Sequence, residues 1–121
     1  MERVHALWSA FEAGDALATL DHVHEDCEWV PSPAAPESES LRGTVTIRAY
    51  LEELIGDGVR LEPKLHSCEA VGDDVVVCGR LRVVSPAALA DSPLFWVYRV
   101  RDEQVVRVES YASRRDALAA A

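Results

Sequence analysis

The sequence predicts an α+β fold in which a curved antiparallel sheet is covered on one face by helices. Three observations carry that expectation. In the first half, apolar residues recur at helical spacing, and after Val59 the spacing changes to the alternation of strands. The four strand segments are joined by "GD", "SPAALADS" and "DE", links short enough for an antiparallel meander. The 121 residues are enough for one domain with a core, so 1–121 reads as a single domain.

Residues 2 to 13, "ERVHALWSAFEA", place Val4, Leu7, Trp8 and Phe11 on one helical stripe, and Gly14 follows as a stop. Asp15 can cap a second, shorter helix through "ALATLDHVH", with Leu17 and Leu20 on its buried side. "CEWVPSP" reads as a short strand ended by Pro31 and Pro33, and "SPAAPESESLR" as a polar, proline-punctuated loop. Thr44 is the expected N-cap of "VTIRAYLEELI", whose Ile47, Tyr50, Leu51 and Leu54 form a stripe ahead of Gly56. The strands are "VRLEPKLHSCEAV", "VVVCGRLRVV", "PLFWVYRVR" and "QVVRVESYA". Ser113 and Asp116 have the form of a capping box opening a last helical turn.

Composition excludes several classes. A net charge of −9 opposes binding to nucleic acid phosphates or anionic lipid. No apolar run approaches the roughly 18 residues of a membrane span, and the amino terminus lacks the basic-then-apolar pattern of a signal peptide. A soluble, cytoplasmic protein is expected. Three cysteines, Cys27, Cys68 and Cys78, are too few and odd in number for a secreted disulfide scaffold.

Which face of the sheet looks inward follows from "GRLRVV". Val75, Val77, Gly79, Leu81 and Val83 share one face, and Val76, Cys78, Arg80, Arg82 and Val84 the other. Burying an unpaired guanidinium costs several kcal/mol, so the arginines should face out. The next strands agree, with Leu94, Trp96, Tyr98 and Val100 inward on one and Val106, Val108, Ser110 and Ala112 on the other. The outer face then carries arginines among Val76, Val97 and Tyr111, a mixed surface suited to a second copy of the chain. "Gly72-Asp73" fits a two-residue type II′ turn, which sets Ala70 opposite Val75, Cys68 opposite Val77 and His66 opposite Gly79. His66 then points into the hollow. A three-residue loop would turn it out.

Several stretches, "FEAGD", "HEDCEWVPSP", "LRGTVTIRAYLEEL", "AVGDDVVVCG" and "VVRVESYASRRDALAA", run in this order over nearly the whole chain. They resemble the SnoaL-like polyketide cyclase family of the nuclear transport factor 2-like superfamily. The resemblance implies a cone-shaped α+β barrel, a bent sheet wrapped around three helices with a deep apolar pocket, and frequent homodimers through the outer sheet face. It implies no single chemistry, because the same cone hosts isomerases, cyclases, epoxide hydrolases, dehydratases and binding modules. Ketosteroid isomerases of this superfamily pair an Asp base with an oxyanion hole of Tyr and protonated Asp. Those positions fall here on Val30, Leu7 and Trp96, none of which moves a proton. Where epoxide hydrolases and cyclases carry a last-strand Asp, the closest inward position here is Ser110, able to orient a ligand but a feeble base.

His66 is the candidate general acid or base, since an imidazole titrates near neutral pH. Tyr50, Tyr98 or Ser110 would position an oxygen, and Asp26, at the entry to the first strand, would carry a proton at the pocket rim or serve in a turn. The expected ligand wall is Trp8, Phe11, Trp29, Tyr50, Leu54, Leu81, Trp96, Tyr98 and Val108. "HVHEDC" offers His22, His24 and Cys27, but histidines two apart on a helix diverge, so no metal is expected. No cofactor motif is present. The expected partner is a small hydrophobic molecule, either converted by cofactor-independent isomerisation, cyclisation or dehydration, or bound without chemistry.

Overall fold

A computed structural model describes residues 2–30 and 40–121. The proline-punctuated loop expected after Val30 therefore lies mostly outside the described residues. Helix α1, Glu2–Glu12, buries Val4, Leu7, Trp8 and Phe11, the stripe its spacing predicts. A 3-10 helix, Leu17–His22, follows; its N-cap is Ala16 and not the expected Asp15, although Asp15 Oδ1 accepts from Ala18 N at 3.0 Å one residue ahead of it. That helix stops two residues sooner than expected. Strand β1, Val23–Val30, takes Val23 and His24, because Val23 pairs with Val105 of the last strand.

Strand β2, Leu41–Arg42, is a two-residue addition that the loop reading missed, pairing with Glu28 and Trp29. Helix α2 runs Thr44–Gly56. Its N-cap is Gly43 and not Thr44, which is already helical, and Gly43 N donates to Cys27 O at 2.8 Å. Strands β3 (Arg60–Val71), β4 (Asp74–Val84), β5 (Leu89–Arg101) and β6 (Gln104–Tyr111) form the expected meander. The β4–β5 link is shorter than the sequence suggested. Val84 pairs with Leu89 and Arg82 with Asp91, leaving only a turn closed by Ser85 N donating to Ala88 O.

The strand order is β2-β1-β6-β5-β4-β3, a curved, unclosed six-stranded sheet in which β1 runs parallel to β6. α1 packs on the inner face, where its stripe meets Val75, Val77, Leu94, Tyr98 and Val105. The 3-10 helix and α2 add Leu20, Ile47 and Leu51 beside Trp29 and Leu61. Arg80 and Arg82 project outward, where they meet Asp91 at 3.1 Å and Glu62 at 3.5 Å. Both pairs are half exposed, so each contributes little to stability.

The outer face is not the open surface expected of it. Helix α3, Arg114–Ala120, folds back over it, capped by Ser113 Oγ accepting from Asp116 N at 3.1 Å. Val76 and Val97, expected among exposed arginines, are 1% and 0% exposed beneath Ala117, Leu118 and Ala121. Burying two valines stabilises this arrangement by roughly 1.5–3 kcal/mol each. Arg99 ties helix to sheet. Its Nη1 donates to Asp74, its Nε to Glu109 Oε1 at 3.0 Å, and its Nη2 to Ala120 O at 2.7 Å. No described helix is long and apolar enough to cross a membrane.

The turn at Gly72, with φ 61, sets Val71 opposite Asp74, Ala70 opposite Val75 and Cys68 opposite Val77, as expected. Cys68 packs with the inner core and Cys78 with the outer cluster. Beyond Cys68 the register shifts. Ser67 pairs with Cys78 and Leu65 with Gly79, so His66 is the extra residue of a β-bulge and is exposed. Gly79 makes room for backbone and not for imidazole, since a Cβ there would lie 2.2 Å from Lys64 O.

Two substitutions test these features. Gly79→Ala should destabilise the fold by about 1–3 kcal/mol through overpacking against that carbonyl, seen as a lower urea midpoint. Arg99→Met leaves Asp74, 7% exposed, without its main cation. Because Arg101 still lies 3.5 Å from Asp74, the expected loss is about 2–3 kcal/mol, at or below the usual cost of breaking a buried pair.

Candidate functional site

Between the three N-terminal helical elements and the concave face of the sheet lies a cavity of about 260 Å³. Its wall is assembled from every layer: Leu7 and Phe11 of α1, Thr19 and Leu20 of the 3-10 helix, Ile47, Tyr50, Leu51 and Leu54 of α2, and inward positions of five strands. Alternation along each strand delivers those positions, Val23, Cys27 and Trp29 on β1, Leu81 and Val83 on β4, Trp96 and Tyr98 on β5. No Asp, Glu, His, Lys or Arg is among the described lining residues.

Of the expected ligand wall, Phe11, Trp29, Tyr50, Leu54, Leu81, Trp96, Tyr98 and Val108 come together around the cavity. Trp8 does not. It is 1% exposed and sealed behind the wall, where its Nε1 donates to Tyr98 Oη at 2.9 Å. Trp8, Phe11, Trp96 and Tyr98 form one aromatic group, with Phe11 and Trp96 stacked at 6.3 Å and Trp96 edge-on to Tyr98 at 6.2 Å. Trp29 and Tyr50 make a separate pair at 5.7 Å, and the partial exposure of Tyr50 puts it at the rim.

The expected proton carriers lie elsewhere. The bulge removes His66 from the cavity to the exposed side of β3, so it cannot act on a guest there. Ser110 sits on the inner face opposite Trp96 but is not part of the cavity wall. Asp26 is exposed on the outer face of β1, in a charged groove with Glu28, Arg42, Arg101 and Arg107, and not at the pocket rim. The "HVHEDC" groups diverge: His22 Nδ1 lies 3.4 Å from Arg3, His24 Nδ1 accepts from Asp26 N at 3.0 Å, and Cys27 turns into the core.

Cys27, like Leu7, Val23, Leu51 and Val83, lines the cavity without being part of the expected ligand wall, and strand parity from Trp29 points to it. Burial, with a smaller push from Glu28, raises its thiol to about 11. Burial raises the Tyr98 phenol far above its ordinary range, against a smaller opposing effect of the Trp8 hydrogen bond. Both groups stay neutral at physiological pH. Polar contact with a guest therefore comes from neutral donors, in a wall that is otherwise hydrocarbon and aromatic.

Residues 4–108 match the SnoaL-like domain family. The chain belongs to that family. Solved structures, nuclear transport factor 2-like proteins among them, share its fold. A candidate polyketide cyclase of Xanthomonas campestris pv. campestris is 21% identical, with 98% of this chain and 93% of that one covered at a TM-score of 0.76. TerC, co-crystallised with polyporic acid, is 25% identical over 95% of this chain and 92% of its own at 0.74. An LEH-like epoxide hydrolase of M. tuberculosis is 19% identical over 98% and 85% at 0.75. No curated protein matches the sequence.

The two raised acids give a test by pH. Each binds its proton more tightly folded than unfolded, so their contribution to stability is complete below the unfolded values, about 9 for the thiol and about 10 for the phenol. It should be lost as pH rises through about 11 for Cys27 and higher still for Tyr98. Urea midpoints should therefore fall above about pH 9, and the decline should be shallower in Cys27→Ala combined with Tyr98→Phe than in the parent.

Proposed function

We propose that this SnoaL-like chain binds a neutral, apolar, ring-bearing small molecule in the cavity under its helices. The observation that carries the reading is the wall itself: apolar and aromatic side chains from α1, the 3-10 helix, α2 and five strands, with no charged group among the described lining residues. Desolvating an ionic guest against such a wall, without a counter-charge, costs several kcal/mol. At the interior packing density of about 0.75, the cavity accepts about 195 Å³ of van der Waals volume, a skeleton of about three aromatic rings. The likeness to TerC, crystallised with polyporic acid, supports a small organic guest.

A second reading is catalysis, a cofactor-independent isomerisation, cyclisation or dehydration. The buried hydroxyl of Tyr98 favours it, as does the likeness to a candidate polyketide cyclase. Acid/base turnover would need a group able to exchange a proton near neutral pH. Tyr98 and Cys27 both hold theirs, which makes binding the better-supported function.

Native mass spectrometry of the protein purified from its own host should show a small hydrophobic molecule travelling with it. Titration calorimetry with N-phenyl-1-naphthylamine, a neutral two-part aromatic, should give saturable binding that Leu81→Trp weakens at least about tenfold by filling the cavity. Equal binding to parent and variant, with both folded, would place the probe elsewhere and end the proposal.

A further inference from the structure

Helix α3 is short for the surface it covers. An isolated helix of fewer than about 12 residues does not hold itself in water, so the seven residues Arg114–Ala120 keep their shape only while docked. Ala117 is the one fully buried side chain of α3. Beneath the helix lies an apolar patch of Val76 and Val97, with Cys78, Phe95 and Tyr111 beside them. The polar ties are Arg99 Nη2 to Ala120 O at 2.7 Å, the Ser113 cap, and Arg114 to Glu69 at 2.8 Å. Both side chains of the last pair are half exposed, where an ion pair adds little. α3 can therefore leave as one unit while the sheet stays folded, the local opening open to short peripheral elements.

The charges beside the patch have an order. Cross-strand partners on β2, β1, β6, β5 and β4 set Arg42, Glu28, Arg107, Arg99 and Asp74 in one row across the outer face. The signs run plus, minus, plus, plus, minus. Turned about a two-fold axis through Arg107, the row meets itself with Arg42 against Asp74 and Glu28 against Arg99, the self-complementarity an isologous contact requires. Glu109, 3.6 Å from Arg107, offsets the like charges at the centre. On a chain of net charge −9, a row of three cations and two anions also lessens the repulsion a second copy meets. A partner of one sign would leave the other sign unmatched.

α3 blocks half of that row. It stands over the Arg99–Asp74 end, where Asp74 is 7% exposed and Arg99 is turned to Ala120 O. Arg42, at the other end, is exposed. We propose that α3 is an autoinhibitory strap: docked, it keeps a second copy of the chain off the outer face, and undocked, it frees the Val76–Val97 patch and the whole charged row for a two-fold dimer. The dimer expected through an open outer face thus becomes conditional on α3 leaving it.

Sedimentation velocity compares the parent with a chain lacking residues 114–121 and with Ala117→Glu, which sets a carboxylate against Val76 and Val97. Over one concentration range the parent should stay monomeric, and both variants should dimerise at least about tenfold more tightly. Adding Arg42→Glu to either variant should reverse the gain, since Arg42 meets Asp74 of the second copy. Parent dimers as tight as those of the variants, folded variants that stay monomeric, or variant dimers indifferent to Arg42→Glu each overturn the proposal. Should neither variant fold, the parent decides by hydrogen exchange and by alkylation of Cys78, which is 9% exposed within the covered patch. Both the α3 amides and the Cys78 thiol should react faster than the sheet unfolds; α3 amides that exchange only together with those of β4 and β5 mean that the strap does not open, and the inference falls.

Discussion

The cost of taking a guanidinium out of water organises this molecule. On β4 the sequence alternates arginine with aliphatic residues, and only one parity keeps Arg80 and Arg82 solvated. That parity commits Val75, Val77, Leu81 and Val83 to the concave face, and pairing across β5 then commits Trp96 and Tyr98 to the same side. α1 can cover that face because its own stripe is apolar. The cavity is what remains where three short helical elements cannot fill a bent sheet completely.

A second constraint is local. β3 and β4 pair without fault from the turn to Cys68, then slip by one residue at His66. Gly79 permits the slip, because no other residue tolerates Lys64 O at that distance. The slip restores Leu65 to the inner core and ejects the one imidazole that a regular ladder would have placed inside. The hollow gains apolar character by the same event that costs it a titratable group.

The element order, the apolar face and most of the cavity wall were legible in the sequence, since each follows from periodicity over many residues. Phe11, Trp29, Tyr50, Leu54, Leu81, Trp96, Tyr98 and Val108 all reached the cavity for that reason. Features that depend on a single residue or on distant contact were not legible. The bulge at His66 is a one-residue irregularity with no pattern of its own. Trp8 satisfies the same stripe as Phe11, and only the position of Tyr98, ninety residues away, decides that it serves the core. The burial of Val76 and Val97 required knowing that seven helical residues fold back over the sheet, held by Arg99. A short helix at the end of a β-meander carries no signal of which face it will choose.

All three tryptophans of the chain belong to the aromatic lining or to the shell directly behind it. Trp96 touches Trp8 at 5.9 Å, and Trp29 stands with Tyr50 nearer the rim. The protein therefore carries its own optical gauge. Indole emission responds to the polarity and quenching power of whatever lies beside the ring, and no indole is spent on a remote surface that would dilute the response. Occupancy, hydration and collapse of the hollow should each be readable in the ultraviolet without any label.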